Sequence, residues 1–118
     1  MLGPFIVKCL HAATATHVLH LTTRSYAQHM ALGEFYTALP GLVDQLAEAY
    51  MGVYDVPQPL HAIYTKPTDA ESVVSELADY IDENRGKLID KSDTCLLNIL
   101  DEIQALCAQT LYKLRRFK

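Results

Sequence analysis

The clearest periodicity in this chain lies near its C-terminus, where Leu96, Ile99, Leu100, Ile103, Leu106, Cys107, Thr110, Leu111 and Leu114 recur every three or four residues. That spacing puts side chains on one face of an α-helix. It predicts a helix over 93–116, with Ser92 or Asp93 as its cap. Upstream, Val73, Val74, Leu77, Tyr80 and Ile81 repeat the pattern behind Thr68 and Glu71, which are spaced as a capping box, and Gly86 reads as the stop. A helix over 68–85 follows.

The N-terminal half carries two more such segments. Pro4 fits a first helical position, where its missing amide costs nothing. Val7, Leu10, Thr14, His17 and Leu21 then read as the inward stripe of a helix over 4–23. A further helix over 26–50 is predicted by Leu32, Phe35, Leu39, Leu42, Leu46 and Ala49. Pro40 lies inside it, so a kink or division is expected at Leu39-Pro40-Gly41. From Gly52 to Pro67 the chain has three of its five prolines and no sustained period, the mark of a long surface crossover. Short, long and short connections between four amphipathic helices predict one all-α domain over 1–118, a four-helix bundle with the ferritin-like crossover between helices two and three.

Composition narrows the function classes. A net charge of −4 disfavours a general nucleic-acid binder, which needs surplus Lys and Arg against phosphate. The basic cluster Lys113, Arg115, Arg116 and Lys118 reads as cations at the negative end of the last helix. Cys9, Cys95 and Cys107 are odd in number and lack Cys-x-x-Cys spacing, so reduced thiols and a cytoplasmic setting are expected. No segment has the form of a signal peptide or a membrane span. Nucleophile elbows and phosphate-binding glycine loops are absent from the sequence.

The residues able to carry chemistry cluster in HVLHLTTRSYAQHMALGEFY, residues 17–36, which holds three of the five histidines. His11 and His61 have no carboxylate at ligand spacing. Tyr26, Tyr36 and Tyr50 read as core or interface aromatics, and Asp82, Glu83, Asp90, Asp101 and Glu102 as solvated faces. No Glu-x-x-His pair occurs, which argues against an internal di-iron centre of the oxygenase type.

His17, His29, Asp44 and Glu48 are separated by twelve, fifteen and four residues. This arrangement resembles the ferroxidase motif of the Dps family of mini-ferritins, in which two histidines of one subunit meet an Asp-x-x-x-Glu pair of its two-fold mate. The resemblance covers about a third of the chain and implies an oligomer binding iron, or manganese or zinc, with ferroxidase-like activity. Geometry agrees on the need for two chains, because fifteen residues of straight helix put His29 roughly 22 Å from Asp44. Gly33 stands where the family has a further aspartate, Glu34 is adjacent but turned about 100° round the helix, and His20 is an alternative for the first position. The run HLTTRSYAQHMALGEFY with LVDQLAEAY also resembles small ferritin-like proteins of tailed-phage genomes, which implies a helical bundle and a virion or host-protein partner. The expectations are therefore a metal-binding homo-oligomer or, alternatively, a non-enzymatic helical interaction or structural module.

Overall fold

The computed structural model describes residues 2–118 and contains four helices, α1 (Leu2–Thr22), α2 (Tyr26–Val53), α3 (Ala70–Leu88) and α4 (Thr94–Arg116). No strand occurs among the described residues. Helix α1 packs on α2 and α3, and α4 closes the ring against the same two helices. The core they enclose includes Phe5, Leu32, Phe35, Leu39, Leu46, Leu77, Ile81, Leu100 and Ile103, all essentially inaccessible. The expected four-helix bundle is thus the fold.

Helix α1 departs from the expected orientation. Its buried stripe is Leu2, Phe5, Ile6, Cys9, Ala12, Ala13 and Thr16. Leu10, Thr14, His17 and Leu21, read as inward from the sequence, face outward, and Leu21 is 70% exposed. The physical reason is that α1 is apolar nearly all round, so two stripes compete and periodicity alone does not choose. Small residues decide it. Ala12, Ala13 and Ala15 let α1 approach its neighbours closely, whereas Leu10 and Leu21 would hold them apart.

Three local signals are also overridden. Helix α2 runs through Pro40 without the division that was one of the two outcomes expected there, a kink or a division. Leu32, Phe35, Leu39, Val43 and Leu46 form one continuous buried stripe on both sides of the proline, and that burial offsets the lost hydrogen bond. Helix α3 passes Gly86, which does not take positive φ, because Leu88 and Ile89 are buried and draw the last turn into the core. Its N-cap is Asp69 rather than Thr68, and the carboxylate accepts from the Ser72 backbone N–H at 2.8 Å. Asp93 occupies the N-cap of α4 without a capping bond, its carboxylate accepting instead from the Tyr54 hydroxyl. Asp101 and Glu102 are exposed, Asp101 pairing with Arg85.

The basic residues at the end of α4 sit in its last turn, as expected, and two of them reach carboxylates on other helices, Lys113 to Glu34 and Arg115 to Glu71. The connection from Tyr54 to Asp69 starts beside Asp93 at the head of α4 and ends next to Glu71, which meets Arg115 at its tail. On the way it lies along α1. A side chain on Gly3 would meet the Pro59 carbonyl oxygen at 2.6 Å, and the Thr65 backbone N–H donates to His11 Nε2 at 3.0 Å.

The hydrogen bonds from the Ser72 backbone and hydroxyl hold the Asp69 carboxyl below its ordinary range. A lowered folded-state value adds stability that is present above the unfolded carboxylate value and is lost as pH falls through the folded one. Asp69→Ala is therefore expected to cost about 1 kcal/mol at neutral pH. The deficit against wild type should begin to shrink below about pH 4, where the unfolded carboxylate takes up its proton, and should go on shrinking as pH falls through the lower folded value. Urea titrations at pH 7 and pH 3 check both statements.

Candidate functional site

The crowded histidines meet at the hairpin between α1 and α2. Ser25 caps α2 by accepting from the Gln28 backbone N–H, and Thr23 accepts from the Ser25 N–H, so three residues reverse the chain. This turn brings His20, in the last turn of α1, against His29, in the first turn of α2. The two form a reciprocal clasp. His20 Nδ1 lies 2.7 Å from the His29 carbonyl oxygen, and His29 Nδ1 lies 2.8 Å from that of His20. A carbonyl oxygen only accepts, so each Nδ1 carries the hydrogen and each Nε2 is left over. One of these bonds also satisfies a carbonyl that the end of α1 leaves without an intrahelical donor.

The rings are stacked, with centroids 3.8 Å apart and planes 16° from parallel. His17 lies flat on Tyr36 at 3.9 Å, His20 meets Tyr36 edge-on at 5.1 Å, and Tyr26 adjoins His29 at 6.3 Å. Five rings thus zip the two helices together, and ring contacts of this kind contribute about 0.5–1.5 kcal/mol each. The pairing of His20 with His29 was not predicted from the sequence. The readable signal was their near-symmetric placement about the turn, which lets each ring reach the other helix's backbone.

This geometry also explains Gly33. A Cβ there would meet His20 Cε1 at 3.1 Å and Nδ1 at 3.3 Å, so the space an acidic ligand would need is filled by an imidazole. One hydrogen bond and a stack hold that ring, so it cannot give way freely. Gly41, by contrast, has open space around its Cβ direction. Gly41→Ala should stabilise the protein by about 0.5–1 kcal/mol through helix propensity. Gly33→Ala should lose that gain and be neutral or destabilising, a difference of sign that thermal unfolding of the two variants will report.

The remaining expected ligands lie elsewhere. Asp44 and Glu48 are on the exposed stripe of α2, and the unbroken helix keeps them roughly 22 Å or more along its axis from His29. Glu34 turns to Lys113 of α4. His17 is exposed at the edge of the α1–α2 seam, where its ring lies on Tyr36. Among the described residues no three His, Cys, Asp or Glu side chains converge on a point that could hold a metal. The stacked pair does not chelate by itself, because in-plane lone pairs of near-parallel rings do not meet at one ion about 2.0–2.1 Å from both. Within one chain, then, His17, His29, Asp44 and Glu48 do not fit a metal centre.

A second surface is more extensive. Leu10, Thr14, Val18 and Leu21 follow one another along the exposed side of α1, and the crossover lays Leu60, Ala62 and Ile63 beside Leu10 and the buried Val7 to form an open apolar cleft. Leu10 is 45% exposed and Ile63 is 56% exposed. Among the described residues no helix is long and apolar enough to cross a membrane.

The model of a family described as being of unknown function, DUF5856, matches residues 20–114, four-fifths of the chain. The chain belongs to the DUF5856 family. No curated protein and no solved structure matches it. The DUF5856 match begins at His20, so it takes in the His20–His29 clasp and Gly33 while leaving most of α1, with His17, outside.

Proposed function

We propose that this DUF5856 chain is a non-enzymatic helical interaction module whose working surface is the outer stripe of α1 with the adjoining crossover. The observation that carries the reading is the orientation of α1. A helix apolar on every side buries one face in the bundle and leaves the opposite one, from Leu10 to Leu21, in water. Contiguous exposed apolar surface of this kind marks a contact site. The polar residues that could have done chemistry are engaged in structure instead, His20 and His29 with each other and Glu34 with Lys113. The resemblance to small proteins of tailed-phage genomes fits a partner in a virion or in the host cytoplasm.

A photoreactive benzoylphenylalanine placed at Leu21 should give one discrete cross-linked product in the cells that make the protein, identifiable by mass spectrometry. The same group at Glu83, exposed on α3, should give none. Equal labelling from both positions, or none from Leu21, overturns the reading.

A second reading keeps a metal, iron(II), manganese or zinc, held between two copies of the chain by His17 and His29 of one and Asp44 and Glu48 of the other. Two features support it: Asp44 and Glu48 stay in helical register with His29, and the Nδ1–H of His29 donates to a carbonyl, as in ligating histidines. It requires a dimer. Anaerobic Fe(II) titration with light scattering tests both conditions, and a monomer that takes up no Fe(II) removes the site and the ferroxidase-like activity with it.

A further inference from the structure

The charges of this bundle are sorted along its axis. The turn after α1, the start of α3 and the tail of α4 meet at one end, where Ser25, Asp69 and Lys118 line a single cleft. Half of the chain's ten Lys and Arg lie at this end, Arg24, Lys113, Arg115, Arg116 and Lys118, with Glu34, Asp69 and Glu71 from among its fourteen acidic residues. All three carboxylates are already engaged. Glu34 pairs with Lys113 and Glu71 with Arg115, while Asp69 caps α3. Arg24, Arg116 and Lys118 are exposed and make no ion pair among the described residues. Three uncompensated cations are therefore left.

Exposed aromatic rings stand among them. Tyr26 is 76% exposed, Tyr112 54% and Phe117 53%. The Arg116 guanidinium lies 6.0 Å from the centre of the Tyr112 ring, and Tyr112 meets Phe117 edge-on at 5.7 Å. Phe117 also borders two clefts. One, of about 360 Å³, is lined by Tyr26, Ala27, Ala31 and Phe117 and takes in the Glu34–Lys113 pair. The other, of about 260 Å³, holds Lys118 and Ser25.

We propose that this end of the bundle binds single-stranded nucleic acid, its bases stacking on Phe117, Tyr26 and Tyr112 and its phosphates meeting Arg24, Arg116 and Lys118. Exposed rings interleaved with cations hold a single strand without reading its sequence, because every base has a flat face. The net charge of −4 disfavours a nucleic-acid binder only where the charges are mixed. Here Asp90 and Asp93 gather beside Tyr54 at the opposite end of a molecule 43 Å long. Screening over about 8 Å at physiological ionic strength keeps that end from repelling a strand bound at this one. Shape separates the partner from other polyanions, since a bilayer surface leaves the clefts beside Phe117 unfilled and an acidic peptide offers no flat face to the rings. The residues belong to α2, α4 and the turn, with none from the α1 stripe, so the proposal stands or falls separately from the interaction-module reading.

The test uses the full chain and a fluorescein-labelled oligothymidylate of about twelve nucleotides, followed by anisotropy at about 50 mM salt, beside a duplex of the same length, polyglutamate and phosphatidylglycerol vesicles. The single strand is expected to bind more tightly than the other three. With three phosphates neutralised, a fourfold rise in salt should weaken it roughly twentyfold. Phe117→Ala, at an exposed position, should weaken it at least about fivefold with the fold intact by circular dichroism. Arg116→Glu with Lys118→Glu should weaken it at least about tenfold. Lys87→Glu with Lys91→Glu, an equal change of charge at exposed positions around the end of α3, should stay within about twofold of wild type. No binding, binding indifferent to Phe117→Ala, or equal losses from the two charge reversals overturns the proposal. So does tighter binding of the duplex, the polyglutamate or the vesicles, or a salt-sensitive dimer that Arg116→Glu with Lys118→Glu converts to monomer.

Discussion

Phe5→Ala is expected to lower the stability of the protein by about 3–5 kcal/mol, the usual cost of deleting a buried aromatic ring. Phe5 is fully inaccessible in α1 and its ring stacks on Tyr80 of α3 with centroids 6.0 Å apart, at the seam where these two helices meet. Its loss removes the transfer energy of the ring, the pairing with Tyr80 and the filling of the space between α1 and α3. A single domain has a total stability of roughly 5–15 kcal/mol, so about a fifth or more of it is at stake. Urea denaturation should show a lower midpoint with an unchanged slope, because the surface exposed on unfolding is nearly the same. Val53→Ala, at an exposed position late in α2, should stay within about 0.5 kcal/mol of wild type. A Phe5→Ala loss below about 1 kcal/mol would mean that α1 does not bury the face described here.

The second large effect is in thiol chemistry. Cys9 and Cys107 are buried in the core while Cys95 is exposed in the first turn of α4. Burial pushes the Cys107 thiol up to about 12. It pushes Cys9 higher still, with the Cys107 charge adding to the effect and Lys8 opposing it. Only the thiolate attacks a disulfide reagent, and a rise from the ordinary value of about 8.5 to about 12 cuts its fraction at neutral pH by more than a thousandfold. In the folded protein an aromatic disulfide reagent should therefore modify Cys95 within seconds to minutes. Cys9 and Cys107 should follow only at the rate of global unfolding, and all three should react at once in denaturant. Cys95→Ser should abolish the fast phase. Fast reaction of a second thiol would show that the diagonal between α1 and α4 is open.

The sequence by itself determined the number of helices, their type and most of their limits, because a three-to-four-residue apolar period of sufficient length is a local property. Helix α4, with Leu96 to Leu114 along one face, was fixed in this way, and its dipole called for the cations of its last turn. The irregular connection was legible in Pro57, Pro59 and Pro67, since proline restricts the backbone wherever it stands.

What only the tertiary structure decided was which of two possible choices each ambiguous element made. Helix α1 has apolar residues on opposite sides, and the choice of face depended on how closely Ala12, Ala13 and Ala15 let it approach α2 and α3, a property of pairs of helices. Pro40 and Gly86 are local breakers, and each was overruled by neighbours, Leu39 and Val43 in one case and Leu88 and Ile89 in the other, whose burial outweighed the local preference. The histidines were the sharpest instance. Their spacing matched a ligand pattern, yet the turn at residues 23–25 paired His20 with His29 across two helices and laid the ring of His20 on Gly33. Ligand geometry depends on the direction of a ring's lone pair, and that direction is set by the partner its other nitrogen finds in space.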